Sequence, residues 1–125
     1  MRQVSKEVCQ AFINRKPKRV KNTHSDGRNL FLHNNKIAWR ASSGHVGFTL
    51  AGWNTPTTRE RLNAIFTLLD CPIRVGQHKH RPYVYNTITR ERTEISSVLP
   101  YYITDFIGEA LVSACLRYEE ARHAS

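Results

Sequence analysis

The stretch Arg28-Asn29-Leu30-Phe31-Leu32-His33-Asn34-Asn35-Lys36-Ile37-Ala38-Trp39-Arg40 decides the fold. Two short runs rich in apolar residues flank an Asn-Asn pair, and asparagine tolerates the positive φ that a two-residue hairpin turn needs. The stretch therefore predicts an antiparallel hairpin, with residues 28–33 and 36–40 joined through Asn34-Asn35. Downstream, Ser42-Ser43-Gly44 makes a second turn into residues 45–51, where Val46, Phe48 and Leu50 alternate with small or polar neighbours. Three antiparallel strands in a meander result.

Gly52-Trp53-Asn54 breaks the third strand and a helix follows. Thr55 can cap it with Pro56 at the first helical position; alternatively Thr57 and Glu60 make a capping box. Leu62, Ile65, Phe66 and Leu69 form its apolar face, and Asp70-Cys71-Pro72 ends it. Residues 73–77 and 83–88 read as a second hairpin with His78-Lys79-His80-Arg81-Pro82 as its loop. A long helix is predicted over 102–122, with Ile103, Phe106, Ile107, Ala110, Leu111, Ala114 and Tyr118 on one side. Upstream, residues 5–15 read as a short helix capped by Ser5, with Val8, Cys9, Phe12 and Ile13 as its stripe and Pro17 as its stop. The order α-β-β-β-α-β-β-α defines an α+β class, with an antiparallel sheet of about five strands covered by helices.

One such domain accounts for all 125 residues, of which 40% are hydrophobic and 23% charged. No apolar run approaches the roughly 18 residues that a membrane-spanning helix requires, so no membrane partner is expected. The N-terminus lacks the apolar core and small-residue cleavage site of a signal peptide. Cys9, Cys71 and Cys115 are odd in number and widely spaced, which fits buried, reduced thiols in a cytoplasm better than a disulfide framework.

The net charge of +9 is unevenly spread. Residues 1–40 carry ten Lys/Arg against two acids, whereas residues 101–125 carry two against four. The densest point, Arg15-Lys16-Pro17-Lys18-Arg19-Val20-Lys21, repels itself and contains a proline, so residues 16–27 read as a basic loop. Arg15, Lys16, Lys18, Arg19 and Lys21, with Lys79 and Arg81 of the second hairpin, are the candidate nucleic-acid contacts, because such cations neutralise phosphates and release counterions. The run itself has no interleaved aromatics for stacking on bases.

Catalytic and metal motifs are weak. His78 and His80 with Cys71 lack the paired spacing of a zinc site, and Arg74, Lys79 and Arg81 repel a cation. The acids Asp26, Glu60, Asp70, Glu91, Glu94 and Asp105 form no group, and no phosphate-cradling glycine loop or nucleophile elbow is present. A non-enzymatic protein without metal or cofactor is expected.

The hairpin Leu30-Phe31-Leu32-His33-Asn34-Asn35-Lys36-Ile37-Ala38-Trp39-Arg40 and the junction Ala51-Gly52-Trp53-Asn54-Thr55-Pro56-Thr57-Thr58-Arg59-Glu60-Arg61-Leu62-Asn63 resemble small accessory proteins of tailed bacteriophages. Those proteins carry an L-x-L-H-G-N-x-I-A-x-R hairpin and an A-G-W-x-T-x-T-T-x-E-R-L-N strand–helix junction. Asn34 stands where the relatives often have glycine, and the long C-terminal helix lies outside the resemblance. The resemblance implies a phage origin, residence in the bacterial host cytoplasm, and binding and inhibition of a host protein or nucleoprotein assembly, such as a CRISPR or restriction defence.

Two readings follow. As an anti-defence inhibitor, the chain would grip a host complex through Trp53, Trp39, Tyr83 and Tyr85, with Arg59 and Arg61 as anchors, since aromatics and arginine dominate interface hot spots. As a basic module, it would bind DNA or RNA through its N-terminal arm. Ala110 and Ala114, beside Phe106 and Leu111, suit helix packing within a monomer or between two copies of a homodimer.

Overall fold

The computed structural model describes residues 1–107. Helix α1 (Gln3–Ile13) is followed by strands β1 (Pro17–Val20), β2 (Thr23–Asp26), β3 (Asn29–Leu32), β4 (Asn35–Arg40) and β5 (Val46–Phe48). Helix α2 (Pro56–Leu68) leads to β6 (Ile73–His78), β7 (Arg81–Asn86), β8 (Arg92–Glu94), β9 (Tyr101–Tyr102) and a 3₁₀ turn (Ile103–Asp105). All strand pairs are antiparallel and form two sheets, ordered β1-β2-β3-β4-β5-β9 and β6-β7-β8. The α+β class expected from the sequence holds, with two sheets in place of one.

Four local expectations are corrected. The basic loop 16–27 contains a β-hairpin, Val20 pairing with Thr23 across Lys21-Asn22, with Lys21 at φ 54°. The turn of the central hairpin lies at His33-Asn34 (φ 50° and 67°), one residue earlier than Asn34-Asn35. In the second hairpin, His78 and Arg81 pair, leaving a two-residue turn at Lys79-His80 (φ 50° and 67°). Tyr102 does not open a long helix: it extends β9, because Tyr101 and Tyr102 pair with Phe48 and Gly47 at the edge of the larger sheet. Ile103–Asp105 form the 3₁₀ turn in place of the start of that helix, and its remainder beyond residue 107, with Ala110, Leu111, Ala114 and Cys115, lies outside the described residues.

The helices cover one face of the six-stranded sheet. Val8, Cys9, Phe12 and Ile13 of α1 and Leu62, Ile65 and Phe66 of α2 are buried against Leu30, Leu32, Ile37, Ala38, Val46 and Phe48. Phe48 and Phe66 meet edge to face at 5.1 Å. Thr55 caps α2 by accepting from the Thr58 N–H, with Pro56 at the first position. The Thr57–Glu60 capping box does not form, because Glu60 accepts from Ser5 and Arg61 instead. Ser5 in turn is no cap: α1 starts at Gln3, and Ser5 is buried inside the helix. Asn63 fastens the second sheet to α2, donating to the Val75 carbonyl (3.0 Å) and accepting from its N–H (2.7 Å).

Arg61, a partner anchor by sequence, is only 3% exposed. Its Nε donates to Thr23 Oγ1 (3.0 Å), and its Nη1 donates to Ser5 Oγ (2.8 Å) and Glu60 Oε1 (2.6 Å). One position after Glu60, the helical rotation carries this guanidinium under β2 and away from solvent. Replacing Arg61 by alanine is expected to cost about 3 kcal/mol, since a buried polar cluster loses its central donor. Arg61→Lys will restore little of that, because one ammonium cannot reproduce the planar fork that spans Thr23 and Ser5. Urea unfolding midpoints of the two variants check this.

Candidate nucleic-acid interface

Successive residues of a strand face opposite sides of a sheet, so pairing register assigns each side chain to the helix-covered face or the other. On that other face, Arg19, His24, Phe31 and Lys36 are direct cross-strand partners from β1 through β4. A second row, Asn29, Trp39, Gly47 and Tyr102, continues through β3, β4, β5 and β9. Arg19, Lys36 and Tyr102 are exposed, and His24, Phe31 and Trp39 are half-buried.

The rings on this face are organised. His24 and Phe31 stack at 4.6 Å with 12° between their planes. Trp39 meets Tyr102 edge-on at 5.9 Å, and its Nε1 donates to Tyr102 Oη at 3.3 Å. The Lys36 ammonium lies 5.4 Å from the centre of the indole. Gly47 makes this arrangement possible, since a Cβ there would come within 2.3 Å of the Trp39 ring. The nearby Asp26 carboxylate is engaged in the β2–β3 turn, accepting from the N–H groups of Arg28 (2.8 Å) and Asn29 (2.7 Å). Burial would raise its pKa, but these hydrogen bonds outweigh it and hold the carboxyl below 3.8.

A bulge aims Trp39 outward. Leu30 pairs with Ala38 while the next residue, Phe31, pairs with Lys36, so β4 holds one extra residue, Ile37. Ile37 and Ala38 are both buried, and the alternation after them is reversed. Trp39 therefore reaches the open face, and Arg40 turns inward, its Nη2 donating to the Ile13 carbonyl at 3.4 Å.

The other residues singled out in the sequence are dispersed. Arg15, Lys16, Lys18, Arg19 and Lys21 are exposed on or beside β1, the edge strand of the larger sheet. Lys79 and Arg81 are exposed on the second sheet. Tyr83 and Tyr85 are half-buried on β7; Tyr83 lies over Gly76, with the Arg92 guanidinium 4.1 Å from its ring centre. Arg59 donates to Asn54 Oδ1, which ties it into the strand–helix corner. Trp53 is 58% exposed and borders a recess of about 390 Å³ lined by Leu32, His33, Asn35, Ile37 and Thr57.

Sequence reasoning missed His24, Phe31 and Lys36. Thr23-His24-Ser25-Asp26 contains no apolar residue, so it gave no strand signal; Asn22 and Gly27, the latter at φ 98°, were the turn marks that bracketed it. Among the described residues, no cluster of three His, Cys, Asp or Glu side chains is placed to hold a metal ion, and no helix is long and apolar enough to cross a membrane. Cys9 is a buried free thiol, and Cys71 is buried as well. Burial, reinforced by Glu60, pushes the Cys9 thiol up to about 12.

Over the described residues the architecture is that of a small α+β protein, with α1 and α2 packed on one face of an antiparallel sheet. A sequence model of the family described as Kyanoviridae Gp96 protein matches residues 1–107, and the chain belongs to this family of phage proteins. The expected phage origin thus holds. No curated protein and no solved structure matches the chain.

Burial and the neighbouring Arg19 hold the His24 imidazole below its ordinary pKa of 6.5, against a smaller opposing pull from Asp26. The folded state therefore favours neutral His24. Its contribution to stability is complete above pH 6.5 and declines as pH falls from there through the folded-state pKa. Chemical denaturation across this window should show a smaller loss of stability on acidification for His24→Phe than for the unmodified protein.

Proposed function

We propose that this phage protein is a nucleic-acid-binding protein whose interface is the open face of the six-stranded sheet. The observation that carries the reading is the juxtaposition of cations and rings on that face: Arg19 and Lys36 flank the His24–Phe31 stack, and Lys36 also borders Trp39. Cations answer phosphates and rings answer bases, and neither alone accounts for their meeting on one surface. Lys21, exposed in the turn that follows β1, extends the positive field beside Arg19. The protein acts by binding, not by catalysis, in the cytoplasm of the bacterial host.

A second reading rests on Trp53. An indole 58% exposed beside an apolar-floored recess suits a host protein contact, as an inhibitor of a defence assembly requires. Where the target is a nucleoprotein, such as a CRISPR or restriction complex, the two surfaces serve one act of inhibition.

Binding to a fluorescent oligonucleotide, followed by anisotropy over a salt series, tests the main reading. Affinity should fall linearly on a log–log plot as salt rises, and Arg19→Ala and Lys36→Ala should each reduce the slope by about one. Absence of binding to every nucleic acid at low salt overturns the reading and leaves the Trp53 surface as the interface.

A further inference from the structure

We infer that the sheet face takes unpaired strands: its ligand is single-stranded nucleic acid, laid across the β-strands from β2 towards β9. This inference rests on the nucleic-acid reading above and adds the class of ligand. Aromatic rings on a protein surface gain from a nucleic acid only where the flat side of a base is free, and in a duplex those sides are occupied by neighbouring base pairs. Three of the rings, His24, Phe31 and Trp39, occupy the inner strands β2, β3 and β4, with Tyr102 on the edge strand β9. The exposed cations stand beside them, Arg19 and Lys21 at the β1 end and Lys36 between Phe31 and Trp39. A duplex would meet the cations with its phosphates and leave the rings against its ribose–phosphate wall.

The spacing supports two stacking positions. His24 and Trp39 stand on β2 and β4, two strand intervals apart, which is about 10 Å. The first position is the His24–Phe31 pair, whose near-parallel rings continue into a third, stacked base. The second is Trp39, which packs over Gly47 and meets Tyr102 at its edge; the Lys36 ammonium, over the indole in the free protein, swings out to a phosphate when a base stacks there. Neither position contains a fork of side chains suited to a particular base edge, so binding tolerates any sequence.

The experiment compares oligo-dT, oligo-U and a hairpin duplex of matched length, each about twelve nucleotides, at about 50 mM salt. The full chain carries Trp53→Phe, which leaves Trp39 as the reporter. Single strands should quench Trp39 and bind at least about ten-fold more tightly than the duplex, and the stronger of the DNA and RNA arms identifies the sugar. Trp39→Ala should weaken single-strand binding about ten-fold or more, with Trp39→Phe retaining most of the affinity. Phe31→Ala gives an independent loss at the other position should Trp39→Ala unfold. Equal affinity for duplex and single strand, with Trp39 emission unchanged, overturns this inference and leaves general nucleic-acid binding intact. Binding to none of the three overturns both.

Discussion

The buried Arg61 guanidinium holds the layers of this protein in register. It reaches Ser5 on α1 and Thr23 on β2 from α2, with Glu60 beside it as counter-charge. A cation in such a place is tolerable only when its donors are answered, and here the answers come from two other elements. The consequence travels through the sheet. Because Thr23 is drawn inward to Arg61, the next residue, His24, must point to the opposite face, where it stacks on Phe31. The polar cluster in the core thus determines one half of the aromatic platform on the surface.

The other half depends on backbone irregularity. With a plain turn at Asn34-Asn35, Leu30 would sit opposite Trp39, and the indole would share the helix-covered side with the core. The extra residue at Ile37 reverses that outcome, burying Ile37 and Ala38 and freeing Trp39. Gly47 then supplies the bed on which the indole lies, as Gly76 does for Tyr83 in the smaller sheet. A bulge and a cross-strand glycine cost regular pairing and side-chain contact. Their joint effect is an aromatic ring lying flat over the sheet with Tyr102 at its edge.

These features explain what could be read from the chain. Apolar periodicity located both helices and the strands of the central meander, because Val8, Phe12, Leu62, Phe66, Leu30 and Phe48 are core residues whose spacing reports their burial. It passed over β1 and β2, where the inward residues are Thr23 and Ser25, satisfied by Arg61 and by the Lys16 carbonyl instead of by hydrocarbon. The one-residue shift of the central turn was equally invisible, since His33-Asn34 and Asn34-Asn35 both admit positive φ and only the downstream bulge separates them. Trp39 and Arg19 were legible as candidates by residue type. Their meeting on one face with His24, Phe31 and Lys36 was not, because it depends on pairing between strands that the sequence did not reveal.

The cations on β1 have an alternative explanation that must be weighed. An edge strand presents unpaired backbone groups, and proteins protect such edges with lysine, arginine and proline, all of which Pro17-Lys18-Arg19 contains. Edge protection alone therefore accounts for much of the positive charge that makes the sequence look like a nucleic-acid binder. It does not account for Lys36, which sits on β4, flanked by β3 and β5 and away from either edge. Nor does it require rings: a strand is guarded by charge, whereas the Phe31 and Trp39 rings lie on a face that charge would have kept soluble without them. Lys36 over its indole, on an inner strand of the sheet, therefore points to a ligand more strongly than the cations of the β1 edge do.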